Sequence, residues 1–151
     1  PLGVGWGLSG MSAITRCPTT VATDGFADGV DFDGNDAFCL DGQRLKVIGG
    51  VANGAVGAKY RTELESFQDV ASTGGTADNP DSFTVRDKAG LTRTYGTTND
   101  NTASGADSRF EARRPGATGQ VVVWAVKKIT DRFGNFIEYR CRPFAENRAA
   151  A

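Results

Sequence analysis

The chain contains no histidine. That excludes Ser-His-Asp and Cys-His nucleophile sites, His-ligated zinc and imidazole acid–base chemistry. Cysteine is sparse and odd in number: Cys17, Cys39 and Cys141. Three scattered thiols build neither a disulfide scaffold nor a four-cysteine metal site. They are expected as buried free thiols, with one bridged pair as the alternative. No run of about 18 apolar residues occurs, so no membrane span is expected. No charged segment followed by an apolar core opens the chain, so no signal peptide is visible. A surplus of charge is also missing, with Lys+Arg 17 against Asp+Glu 18. Without a basic excess to neutralise phosphates, nucleic acid is not an expected partner. Neither a Walker spacing nor a dinucleotide fingerprint is present, and no cofactor is expected.

What the chain does have is glycine, 20 of 151 residues, together with frequent Val and Thr. That bias favours strands over helices. The clearest element is Phe38-Cys39-Leu40-Asp41-Gly42-Gln43-Arg44-Leu45-Lys46-Val47-Ile48. Asp-Gly between alternating runs predicts a two-residue hairpin turn. Leu40 then faces Gln43, Cys39 faces Arg44, and Phe38 faces Leu45. Phe38, Leu40, Leu45 and Val47 fall on one face, with Cys39, Arg44 and Lys46 on the other.

Other strands follow the same logic. Gly3 to Gly7 alternates Gly with Val and Trp, which suits a strand with one bare side. Ser12 to Cys17 predicts a short strand stopped by Pro18. Tyr60 to Phe67 alternates and predicts another, with Asp69 to Pro80 a polar loop. Phe83 to Tyr95 predicts a hairpin around Lys88-Ala89-Gly90, with Gly90 left-handed and Phe83 opposite Tyr95. Val121 to Val126 is apolar without alternation, which predicts a strand covered on both faces. Beyond it, Arg132-Phe133-Gly134 is the expected turn. It sets Ile129 opposite Ile137 and Lys128 opposite Glu138 as a cross-strand ion pair. Residues 97–119 read as a long flexible loop. The expected fold is all-β, built of antiparallel hairpins and sheet in a single domain over residues 1–151, or a fragment of something larger.

Candidate chemistry is thin. Asp31, Asp33 and Asn35 alternate along a polar stretch and offer oxygen ligands for calcium. The position that should supply the closing bidentate acid is Gly42, so an Asx-rich turn is the plainer reading. Glu63 and Glu65 share a strand face and suggest a glycosidase pair, yet a solvated charged face gives the same pattern. Two rivals to a structural role remain. One is a sugar- or cell-surface-binding module using Trp6, Trp124, Tyr95 and the Asp31 loop, with calcium assisting. The other is a hydrolase using Glu63, Glu65 or Asp33. No catalytic residue is assigned.

Several pieces occur in a telling order. They are Gly3 to Gly10, Ser12 to Pro18, Phe38 to Leu45, Tyr60-Arg61-Thr62-Glu63, Trp124-Ala125-Val126, and Ile129 to Asn135. Together they resemble the SpvB/TcaC-type N-terminal region of large bacterial RHS/YD-repeat toxins, a group that includes insecticidal toxin-complex B components. Asp131-Arg132-Phe133-Gly134-Asn135, with Tyr139 following, is similar to the turn that introduces YD-type repeats. The resemblance implies an RHS-shell-like β segment, non-catalytic, that helps enclose or deliver a toxic C-terminal domain. It implies neighbouring RHS/YD-repeat segments or toxin-complex subunits as partners, and a secreted or cell-surface location. The family pattern continues beyond both ends of this chain. A lone piece is therefore expected to expose unpaired sheet edges and to self-associate.

Overall fold

The computed structural model describes residues 10–49, 51–76, 78–97, 109–111 and 119–140. The predicted Gly3–Gly7 strand, Trp6 and Cys141 lie outside the described residues, as do 98–108 and 112–118 of the predicted loop. Seven strands follow one another as a meander: β1 (Ala13–Cys17), β2 (Ala37–Leu40), β3 (Gln43–Ile48), β4 (Lys59–Thr62), β5 (Asp69–Thr73), β6 (Ser82–Arg86) and β7 (Thr92–Gly96). A short helix, α1 (Val21–Asp24), interrupts the polar stretch after β1. Then come β8 (Arg109–Glu111), β9 (Val121–Thr130) and β10 (Phe136–Glu138).

Each of β1 to β7 pairs antiparallel with the next, β7 pairs β9, and β9 returns to β1. The result is a closed antiparallel barrel of 8 strands. An even number is required, because neighbours must alternate in direction all the way round. Closure confines the expected unpaired edges to the ends of the sheet. Among the described residues the strands that end the sheet are β8 and β10, both laid on β9. β8 itself falls inside the stretch read as a loop.

The Asp41-Gly42 hairpin forms with the predicted register. Asp41 (φ 49°) and Gly42 (φ 82°) are both left-handed, as this tight turn demands. Phe38, Leu40 and Leu45 point into the barrel and are buried. Val47 shares their face but lies near the rim, and is 40% exposed. The second hairpin also agrees: Phe83 faces Tyr95, and Gly90 has φ 85°.

Three expectations on the strands fail. Asp69–Thr73 is a strand, not loop; Val70 and Ser72 are buried inside while Asp69 and Thr73 stay outside. One large apolar residue in five gave too faint an alternation to read. The Tyr60–Phe67 strand stops at Thr62, because the chain turns there to feed β5, leaving Leu64 72% exposed. On β9, Lys128 does face Glu138, but the ion pair does not form. Lys128 lies over the Phe136 ring at 4.4 Å and Glu138 meets Arg140 at 3.7 Å.

The cysteine expectation is corrected too. Cys17 and Cys39 form a disulfide between β1 and β2. Cys17 pairs in register with Ala37, and Cys39 with Thr15, so the two sulfurs meet diagonally on the outer face. Strand pairing brings them together, which spacing along the chain cannot show.

One core fills the barrel. The Phe38 ring packs edge-on against Phe83 (5.2 Å), Trp124 (5.5 Å) and Tyr60 (6.0 Å). Such edge contacts set positive ring edges against negative faces, worth about 0.5–1.5 kcal/mol each beyond burial. Trp124 is fully buried, and its Nε1–H donates to Pro80 O at 2.8 Å. An eight-stranded barrel is just wide enough for side chains to fill.

Candidate functional site

Connections in a meander barrel alternate between its two ends. One end carries the short turns at 41–42, 63–68, 87–91 and 131–135. The other is where β1, β3 and β5 lead into their longer connections and where β7 ends. Barrel mouths are common ligand sites, so the long-loop end is the place to look.

Arg16 stands at its centre. It follows Ile14 by two along β1, so both side chains point inward. The Arg16 side chain is completely buried, and so is that of Asp36, which it meets at 3.0 Å. Its Nε donates to Val121 O at 2.7 Å, and its remaining amine donates to Asp78 O. The rings of Phe32, Phe38 and Trp124 surround the guanidinium at 5.5–5.8 Å. Burial lowers the Arg16 pKa from its usual value, against the opposing pull of Asp36. The group stays charged, because arginine starts so high.

Asp36 does more than pair. Its carboxylate also accepts the backbone N–H groups of Asp31 (3.1 Å) and Phe32 (2.8 Å). Phe32 holds a left-handed backbone (φ 74°) and lies against Arg16. The buried pair therefore pins the 18–36 segment, the 74–81 segment and the start of β9 to one point. It fills the barrel interior at this end with a satisfied cation. No sequence pattern marked Arg16; a lone arginine on an otherwise apolar strand face was the available signal.

Outside the buried pair lie the predicted calcium ligands. Asp28, Asp31 and Asp33 bring carboxylate oxygens within 4.8 Å of one another. These three acids could together hold a metal ion. Asn35 Nδ2 and its backbone N–H both donate to Asp33, forming the Asx turn that the plainer reading expected. Partial removal from water, then the nearby Asp33 charge, raises the Asp31 pKa.

The three hydrolase candidates fall at opposite ends of the barrel, Glu63 and Glu65 at one and Asp33 at the other. Glu63 lies beside Lys46 at 3.7 Å, and Glu65 beside Arg61 at 3.8 Å, all largely exposed. Both acids sit in or next to the β4–β5 turn, and Asp33 is at the barrel mouth. Two of the aromatics named for sugar binding are inside the barrel, and Trp6 lies outside the described residues. Trp124 and Tyr95 are core residues, with Tyr95 Oη bonded to Ser12 Oγ at 2.9 Å.

At the short-turn end the Asp-x-x-Gly motif explains itself. Asp131 Oδ1 accepts the N–H groups of Phe133 (2.8 Å) and Asn135 (2.9 Å), and Oδ2 accepts Asn135 Nδ2 (2.8 Å). Gly134 supplies the left-handed step at φ 88°. The Asn135 amide and these N–H groups lower the Asp131 pKa. The same device recurs at Asp87, whose Oδ1 accepts Ala89 N–H and Leu91 N–H at 3.0 Å each. Because β7 pairs β9, the two turns are neighbours: a Cβ on Gly90 would lie 3.4 Å from Arg132 Cβ. Tyr95 and Tyr139 follow their respective glycines by five residues. Sequence reasoning found only the second copy, although the repeat Asp-x-x-Gly-x-x-x-x-Tyr was readable.

No family model and no curated protein matches the chain. Among solved structures it is similar to a chain in the crystal structure of TcdB2-TccC3-Cdc42, with TM-score 0.59 and 20% identity over 87% of this chain. That match spans 6% of the other chain's length. The fold is thus an all-β one shared with a segment of a Tc toxin component. Among the described residues no helix is long and apolar enough to cross a membrane.

Proposed function

We propose that this chain is a non-catalytic structural module of a secreted bacterial RHS-type toxin assembly, whose strands contribute to a shell around a toxic domain. One observation carries the reading. Most of this chain takes the fold of a small segment within a much larger Tc toxin component. Two further features support it. The sheet ends at β10, where Phe136 and Ile137 are 59% and 60% exposed, beside Phe133 in the preceding turn. An apolar strand at a sheet edge suits continuation into a neighbouring segment. The Cys17–Cys39 bridge suits an oxidising compartment, as a secreted protein would meet.

A photocrosslinking residue at position 137, introduced into the protein as its own cells produce it, tests the proposal. The expected product is an adduct to a β-rich RHS/YD-type segment, identified by mass spectrometry. Recovery of unlinked protein alone, or an adduct only to unrelated proteins, would overturn it.

A further inference from the structure

A second surface belongs neither to the barrel mouth nor to the β10 edge. It is the outer wall over β3 to β6, where a groove of about 440 Å³ lies open to solvent. That volume suits one or two rings of a small ligand. Strand register dictates what lines it. One row crosses four strands as Ile48, Lys59, Ala71 and Thr84. In the next row Asp69 faces Arg86, and Arg61 joins Asp69 by an ion pair at 3.2 Å.

The charges are not equally committed. Arg61 is held by Asp69 and by Glu65. Lys59 and Arg86 form no ion pair among the described residues. Two uncommitted cations thus lie on either side of β5, where Ala71 and the Thr73 hydroxyl face the groove, with Thr84 beside Ala71 and Ile48 beyond Lys59. The cations call for an anionic group. Asp69 restricts which kind: a carboxylate within the groove repels a dense polyanion but accepts hydrogen bonds from hydroxyls. A peptide is disfavoured on a different ground. Strands β3 to β6 each pair on both sides, so no backbone edge is open for strand addition.

We infer that this groove binds an acidic sugar, a hexuronate-type ring bearing one carboxylate and several hydroxyls. The carboxylate lies between Lys59 and Arg86. Ring hydroxyls reach Asp69, Thr73 and Thr84, and the aliphatic ring face rests on Ala71. The inference stands apart from the shell role, because the groove is on the barrel wall and not at a sheet end.

The test is a titration of the isotope-labelled 151-residue chain, followed by backbone amide chemical shifts. The probe is a tetrasaccharide of alternating glucuronic acid and N-acetylglucosamine. Controls are a neutral chitin tetrasaccharide and hexaglutamate. Saturable shifts centred on residues 59, 71, 84 and 86, weakened by added salt and absent with the neutral sugar, are the expected result. Lys59→Ala and Arg86→Ala should each weaken binding roughly tenfold or more, as loss of a charge-assisted hydrogen bond does. Both side chains are exposed, and unchanged amide spectra elsewhere will verify that the variants fold. No saturable shift with the acidic sugar overturns the inference. Equal binding of the neutral sugar, tighter binding of hexaglutamate, or indifference to both substitutions does so as well. None of these outcomes bears on the crosslink expected at position 137.

Discussion

Replacing Arg16 tests the argument for the mouth of the barrel most directly. Arg16→Met keeps much of the side-chain volume but strips the charge. Asp36 would then remain fully buried with only two backbone N–H donors from Asp31 and Phe32. The carbonyls of Val121 and Asp78 would lose their donor. Breaking one side of a buried ion pair costs about 3–5 kcal/mol. For a domain of this size that corresponds to a fall in Tm of roughly 6–20 °C. Asp36→Asn leaves the guanidinium buried without a counter-charge and should cost a similar amount. The double variant holds no unpaired charge, so its cost should fall short of the sum by about 2 kcal/mol or more. Urea unfolding of the four proteins, with equal m-values, measures all three quantities. If each single change costs under about 1 kcal/mol, or if the two add within about 0.5 kcal/mol, the reasoning is refuted.

Other predictions rest on separate features. Cys17→Ser with Cys39→Ser should lower stability by about 3 kcal/mol on chain-entropy grounds, given a sequence separation of 22 between the bridged positions; denaturant midpoints measured against the oxidised parent check this. Gly96→Ala should be far worse than Gly42→Ala. Both glycines are left-handed, but a Cβ at Gly96 would lie 2.5 Å from Asp81 O and 2.7 Å from Trp124 Cδ1, whereas Gly42 has open space around it. The expected costs are about 1–2 kcal/mol at Gly42 and clearly more at Gly96, and equal thermal shifts would contradict the packing argument. Asp131 has a folded pKa below its ordinary 3.8, so the stability it lends is present above that value and disappears as pH falls through the lower folded value. Amide exchange at Phe133 and Asn135, followed by NMR, should quicken across that acid window relative to the intrinsic rate, and Asp131→Ala should remove the pH step.

Local patterns settled a good part of the fold before any tertiary contact was considered. Asp41-Gly42 and Lys88-Ala89-Gly90 each fix a backbone that few residues adopt, so turn chemistry set the register of two hairpins. The all-β class followed from strand-forming composition and alternation. The Asx turn at Asp33-Asn35 was likewise local and legible. Asp69–Thr73 was not, because a strand held by two neighbours needs little apolar signal of its own.

What only the tertiary structure decided is everything that depends on closure and on pairing across the longer connections. Pairing of β9 with both β1 and β7 turns a row of hairpins into a barrel. Closure carries Trp124 and Tyr95 inside, where they cannot meet a sugar. Pairing of β1 with β2 brings Cys17 against Cys39 and Arg16 near Asp36, and closure adds the Val121 carbonyl of β9 to Arg16, beside that of Asp78. The pairings of β5 with β4 and β6 place Lys59 and Arg86 together on the outer wall. Turns are encoded by neighbours in sequence, and the sequence displays them openly. A buried ion pair, a disulfide or a groove is encoded by residues that meet only when long loops have closed, and no local pattern records which ones will meet.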